Sequence, residues 1–218
     1  TDLKLLLFGG KGGAGKTTCA AASALSLARD FPSRRFLVVS IDPAHSLRDS
    51  FAIRQAHGPE RSRGAGATPP ANLEVLEMDS AECLRKFKEA NSRHLRQIAL
   101  RGTFLDAEDV TSLLDLSIPG LDEIMAYIEI ANLVQAGTYS CVIVDTAPTG
   151  HTLRFLELPR VLRGWIEALD AMLAKHRYMI RLYSGLYRKD RTDVFLEDMA
   201  RSIERVASLL KDPVRCGF

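Results

Sequence analysis

The chain has 218 residues, 46% of them hydrophobic and 26% charged, with a formal net charge of +2 at pH 7. This is the composition of an ordinary globular protein, long enough for one substantial α/β domain with a sizeable core. So small a net charge gives no reason to expect a nucleic-acid partner.

The apolar run Leu3–Phe8 reads as a buried parallel strand, too short for a secretory signal. It leads into Gly10-Lys11-Gly12-Gly13-Ala14-Gly15-Lys16-Thr17, which fits G-x-x-x-x-G-K-[ST], and then into a predicted helix over Thr18–Arg29. Strand, glycine loop and helix form the context in which this pattern cradles phosphate. The glycines let successive N–H groups turn inward, and the helix N-terminus adds a favourable partial charge. Lys16 then reaches the β- and γ-phosphates of a nucleotide, and the Thr17 hydroxyl meets Mg²⁺.

A second strand, Phe36–Ile41, ends in Asp42-Pro43-Ala44-His45-Ser46-Leu47-Arg48-Asp49. Gly58–Pro70 is rich in Gly, Pro and Arg and predicts a loop with almost nothing to bury. Leu73–Met78 reads as a third strand. Ala81–Leu100 predicts a helix with Leu84, Phe87, Asn91, Leu95 and Ile98 on one face and a solvated charged face opposite. Two more helices are expected, Leu105–Leu116 and Leu121–Val134, separated by Ser117-Ile118-Pro119-Gly120. Three helices exceed what one crossover between parallel strands needs, so this excursion reads as a helical subdomain. The strand Cys141–Val144 ends in Asp145-Thr146-Ala147-Pro148-Thr149-Gly150-His151-Thr152. Trp165, Leu169, Met172, His176, Met179, Tyr183 and Leu186 then recur at helical spacing. Core packing explains that stripe, with a client-binding groove over its distal half as the alternative. Pro213–Phe218 looks like the approach to another strand.

The strands are expected to be buried on both faces, which implies a doubly wound, mostly parallel sheet. Such sheets keep their ligands at the carboxyl ends of the strands, where Asp42 and Asp145 lie. Either aspartate alone is as readily a strand cap. Beside a phosphate loop, a carboxylate there is placed to meet Mg²⁺, its water or the attacking water. Gly150 supplies a flexible position near the γ-phosphate. The four cysteines, 19, 83, 141 and 216, contain no C-x-x-C pair and read as buried structural thiols in a reducing cytoplasm. The longest uncharged stretch, Ile130–Val144, holds Asn132, Gln135, Gly137 and Thr138 and is not a membrane span.

Gly9–Thr18, Asp42–Phe51, Pro119–Glu129 and Asp145–Leu156 together resemble the ATPase family that contains the arsenite-pump catalytic subunit and the factor targeting tail-anchored membrane proteins. The family is a deviant Walker A branch of the phosphate-loop NTPases. The resemblance implies that Lys11 reaches across a two-fold interface to the partner subunit's nucleotide. It also implies that Asp42 activates the hydrolytic water and Asp145 stands near Mg²⁺, with Thr146–His151 as the second switch. The expected nucleotide set is therefore Gly10 to Thr18 with Asp145, Thr146, Pro148 and Gly150. Catalysis falls to Asp42, Lys16 and Lys11, and metal binding to Thr17, Asp42 and Asp145.

The implied protein is a cytoplasmic homodimer with nucleotide at its interface. It serves either tail-anchored clients or a membrane pump subunit for arsenite or another anion, in the second case peripheral to the membrane. Ser46 stands where the targeting factors carry asparagine, and none of the four cysteines falls where the pump's metalloid ligands align. The whole chain reads as one ATPase domain, 1–218, with a helical subdomain at about 81–136 and 153–211. The missing adenine-contacting segments suggest that it is C-terminally truncated. A partition-type ATPase that binds DNA as a dimer is the alternative. An iron–sulfur electron-transfer ATPase finds no support in the cysteine spacing.

Overall fold

The computed structural model describes residues 2–42, 46–51, 69–102, 121–146 and 152–218, and at 46, 152–159, 161, 162, 165, 172 and 175 it describes the backbone alone. The predicted helix Leu105–Leu116, the break Ser117–Gly120, most of Gly58–Pro70, and Pro148 and Gly150 lie outside those residues.

Each apolar run forms a strand: β1 (Leu5–Phe8), β2 (Phe36–Ser40), β3 (Leu73–Glu77) and β4 (Cys141–Asp145). The Pro213–Phe218 stretch adds a short β5 (Cys216–Gly217). The order is β3-β2-β4-β1-β5 and every pairing is parallel. Because β4 separates β1 from β2, the chain leaving β1 crosses a neighbour before it rejoins the sheet, the topology that opens a ligand crevice at the strand ends. β2 and β4 are buried at every position. β3 departs from the expected two-sided burial, with only Leu73 fully buried in it. It is an edge strand, and its Glu74 and Glu77 suit a half-covered position.

Among the described residues the helices are α1 (Lys16–Asp30), α2 (Ser46–Ser50), α3 (Ser80–Gly102), α4 (Leu121–Gln135), α5 (Thr152–Ser184) and α6 (Arg191–Lys211). α1 starts two residues earlier than expected. Gly15, with φ of 81°, turns the chain in the left-handed region and lets Lys16 and Thr17 enter the first helical turn. α2 has no counterpart among the elements expected from the sequence.

The chain divides into two compact units. The first comprises Thr1–Ser80, Glu129–Leu156 and Ser208–Phe218. In it, Ala20, Ala21, Ala24 and Ala28 of α1 pack with Phe36, Val38, Cys141 and Ile143 of the sheet. Small side chains at every third or fourth position let α1 approach the strands closely. Cys19 lies off that stripe and is exposed, which corrects the expectation of a buried thiol. Leu47 and Phe51 are 0% and 1% exposed in the same core, so α2 is pinned by roughly 1.5–3 kcal/mol at each.

The second unit, Ala81–Ile128 with Glu157–Ala207, is helical. Leu121, Ile124 and Met125 pack with Met199, Ile203, Leu84 and Phe87, and Ile98 packs with Leu173 and Leu196. Its polar anchor is Asp193, 3% exposed, which accepts hydrogen bonds from Arg177 at 2.8 Å, from the Asp190 amide at 2.9 Å and from the Tyr187 hydroxyl. The stripe on α5 divides as its two readings would have it. Leu169 packs against the Ile98 cluster, whereas Met179, Leu182, Tyr183 and Leu186 are exposed.

Candidate nucleotide site

Parallel register sets the geometry of the site. Phe8 pairs with Asp145, Asp145 with Ser40, and Ser40 with Glu77, so four strand ends stand level. Everything the chain adds just past those residues gathers at one edge of the sheet. After β1 comes the glycine loop, with Gly10, Gly13 and Gly15 at φ of 152°, 75° and 81°. Only glycine occupies such angles at low cost, and the turn they make exposes Lys11 to Gly15. No side chain caps α1, so the first amides of that helix are left for a ligand's oxygens. Lys16 is 8% exposed and its ammonium donates to the Lys11 carbonyl at 3.3 Å. That single bond curls the lysine back over the loop, where an anion would sit.

The carboxylates arrive from β2 and β4. Asp145 is 0% exposed, and its Oδ2 accepts the Thr17 hydroxyl at 2.8 Å and the Ser40 hydroxyl at 3.1 Å. Asp42, 8% exposed, follows β2 by two residues, and its amide donates to the Ser40 hydroxyl oxygen at 3.2 Å. Burial pushes the Asp145 carboxyl above its ordinary range; the Thr17 and Ser40 hydroxyls pull it down, the Asp42 charge adds to the rise, and Lys16 offsets part of it.

Asp145 Oδ1 is buried and has no hydrogen-bond partner. An orphan acceptor of this kind is costly unless a ligand completes it. Hydroxyl and carboxylate oxygens are the donor set of Mg²⁺, which keeps several waters and takes one or two protein ligands plus substrate phosphate. The residues present fit that cation: Thr17 and Asp145 would hold it, with Asp42 close enough to add negative charge. No group of three or more His, Cys, Asp or Glu suited to a metal occurs among the described residues.

The structure thus brings together Lys11, Lys16, Thr17, Asp42 and Asp145. Thr18 is exposed on α1. Thr146 is committed elsewhere: its amide and hydroxyl both donate to the Phe8 carbonyl, at 3.2 and 2.8 Å, tying β4 to β1. Sequence reasoning missed Ser40 and Glu77. Glu77 accepts the Arg48 amide at 3.0 Å and pairs with the Arg48 guanidinium at 3.5 Å, which fixes α2 behind Asp42. The one available signal for Ser40 was a lone polar residue closing an apolar strand. Burial pushes the Cys141 thiol up to about 12 and the Cys216 thiol up to about 11, so neither offers a thiolate at neutral pH.

The family model described as anion-transporting ATPase matches residues 3–218. An ATPase ASNA1 homolog from Entamoeba dispar is 32% identical over 217 residues, covering 97% of this chain and 64% of its own length. The protein named ATPase get3 in Schizosaccharomyces japonicus is 33% identical over 217 residues, with 98% and 63% covered. ATPase GET3 of Malassezia globosa is 35% identical over 222 residues, with 100% and 62% covered. The chain therefore spans a little under two thirds of the length of these relatives.

Proposed function

The chain belongs to the anion-transporting ATPase family, and from that premise we propose that it carries the site at which a larger subunit hydrolyses ATP to move a hydrophobic client. The observation that carries this reading is the level row of strand ends. It supports a single site built from the glycine loop, Thr17 and two carboxylates on neighbouring strands. Backbone amides of Gly10 to Thr17 and the Lys16 ammonium neutralise the phosphate oxygens as charge develops on them. Mg²⁺, held by Thr17 and Asp145, would supply further neutralisation of phosphate charge. Asp42 orients the attacking water and accepts its proton, a role worth roughly 10²–10⁴-fold in rate. Lys11, exposed at the front of the loop, acts on the nucleotide of a second copy across a homodimer interface. Pro148 and Gly150 belong to the second switch.

For the client, we favour tail-anchored membrane proteins over an arsenite or anion pump. The exposed apolar run of Met179, Leu182, Tyr183 and Leu186 supports this, as do relatives bearing the names GET3 and ASNA1. Cys141 and Cys216 are buried, which weighs against their reaching a metalloid from solvent. The helical stretches at about 81–136 and 153–211 form the client-handling subdomain of one ATPase domain. No helix among the described residues is long and apolar enough to cross a membrane. From the family membership, this reading has the protein work from the cytoplasm and meet the membrane through a partner.

The test is Mg²⁺-dependent phosphate release by the full subunit, alongside Lys16→Ala and the pair Met179→Asp and Tyr183→Asp. Lys16→Ala is expected to lose nucleotide binding. The aspartate variants are expected to fold, keep basal hydrolysis and lose crosslinking to a hydrophobic helical peptide. Absence of Mg²⁺-dependent hydrolysis in the wild type would refute the enzyme, and unchanged crosslinking would refute the client surface.

A further inference from the structure

We propose that Ser40 is a positioning residue that sets both carboxylates of the site at once, Asp145 for the cation and Asp42 for the attacking water. The inference rests on the ATP-hydrolysing reading above and goes beyond it, because nothing in the phosphate-loop or switch motifs points to this residue.

A buried hydroxyl in an otherwise apolar strand needs a reason. Phe36, Leu37, Val38 and Val39 are all buried hydrophobics, and Ser40 is 1% exposed directly after them. For packing alone an alanine would serve, and burying an unpaired hydroxyl is unfavourable. A serine hydroxyl has one hydrogen to give and lone pairs to receive. Ser40 uses both capacities within the site. It gives its hydrogen to Asp145 Oδ2 at 3.1 Å and receives the Asp42 amide at 3.2 Å. The Ile41 amide also donates to the Asp145 carbonyl at 3.1 Å, a backbone tie that does not by itself orient the Asp145 carboxylate.

The consequences differ at the two carboxylates. At Asp145, Oδ2 is held by two hydroxyls, Thr17 on one side and Ser40 on the other, so the carboxylate plane is fixed and Oδ1 is left as the open acceptor. Thr17 would itself be a cation ligand, so Ser40 is the hydroxyl that holds Asp145 without being drawn into the metal's shell. At Asp42, anchoring the amide fixes where the chain leaves β2, from which α2 begins four residues later. Water cannot replace Ser40 at 1% exposure, so its loss would go uncompensated.

The experiment compares Ser40→Ala, Ser40→Thr and Ser40→Cys in the full subunit, with two readouts. The first is equilibrium binding of Mn²⁺ in the presence of ADP, followed by the electron paramagnetic resonance of the free ion. The second is kcat at saturating ATP and Mg²⁺. Ser40→Ala keeps the Cβ and is expected to fold, to weaken Mn²⁺ binding about tenfold and to lower kcat roughly ten- to a hundredfold. Ser40→Thr keeps donor and acceptor and is expected to restore most of both. If its added methyl unfolds the sheet, Ser40→Cys, with a weak donor of similar size, should fall between wild type and Ser40→Ala. Wild-type Mn²⁺ binding and kcat in Ser40→Ala would overturn the proposal, as would a folded Ser40→Thr no better than Ser40→Ala. Failure of the wild type to hydrolyse ATP would instead sink the enzymatic reading, while the Mn²⁺ comparison would still decide the role of Ser40.

Discussion

Replacing Asp145 with asparagine separates the metal role of this carboxylate from its part in the fold. An amide keeps both existing hydrogen bonds if its oxygen takes the Oδ2 position, facing Thr17 and Ser40. Its NH₂ then lies where Oδ1 has no partner, an unmet donor costing about 1–3 kcal/mol. Set against this, a buried charge is removed. Because burial raises the folded-state pKa of Asp145, its contribution to stability is full below the unfolded value of about 3.9 and is lost as pH rises through the folded value. At pH 7 without a cation the carboxylate therefore destabilises the fold, and the two effects of Asp145→Asn oppose each other. The nucleotide-free change is expected to stay within about 2 kcal/mol. With ligand the balance reverses. A nucleotide–Mg²⁺ complex at a hundred times its Kd stabilises by about 2.7 kcal/mol, or about 5–11 °C of Tm for a chain of this size. Thermal unfolding with ADP, with and without Mg²⁺, reads the difference. Wild type should gain part of this increment on adding Mg²⁺ to ADP, and Asp145→Asn should lose most of that gain while showing a flatter stability profile from pH 4 to 7. A variant that keeps the full Mg²⁺ increment would refute the assignment of the cation to Asp145.

Asp42→Asn should lower kcat by roughly 10²–10⁴-fold while leaving ATP affinity within a few-fold, as measured by phosphate release and by nucleotide titration. Hydrolysis near the wild-type rate would show that Asp42 does not activate water. Glu77→Ala removes the acceptor of the Arg48 amide, so hydrogen exchange at that amide should accelerate roughly ten- to a hundredfold with little change in β2. In the helical unit, Asp193→Ala removes the more buried of the two carboxylates paired with Arg177 and should cost about 3–5 kcal/mol in denaturant unfolding. Burial pushes Asp193 up, but the Tyr187 hydroxyl, the Asp190 amide and Arg177 outweigh it and hold the carboxyl below its usual range. Its stabilisation is therefore present above a pH of about 3.9 and lost as pH falls through the lowered value, so acid unfolding of the variant should be shallower there.

What the sequence determined by itself were the features that rest on neighbours along the chain. Glycine spacing fixed the phosphate loop, because positive φ at Gly13 and Gly15 is a property of those residues alone. Unbroken apolar runs marked β2 and β4 as buried strands, and helical spacing put Leu169 and Met179 on one stripe without saying which part of it is covered. Tertiary structure decided whatever depends on which strand lies beside which. β3 reads like its siblings, and only its place at the edge leaves it half covered. Cys19 is set outward by the alanine stripe of α1. Ser40 and Glu77 are single polar residues with no local pattern, 37 residues apart in the chain. They acquire meaning because parallel pairing levels them with Asp145 and Phe8. Hydrogen bonds between strand ends act over about 3 Å, and sequence periodicity carries no information about register across a crossover.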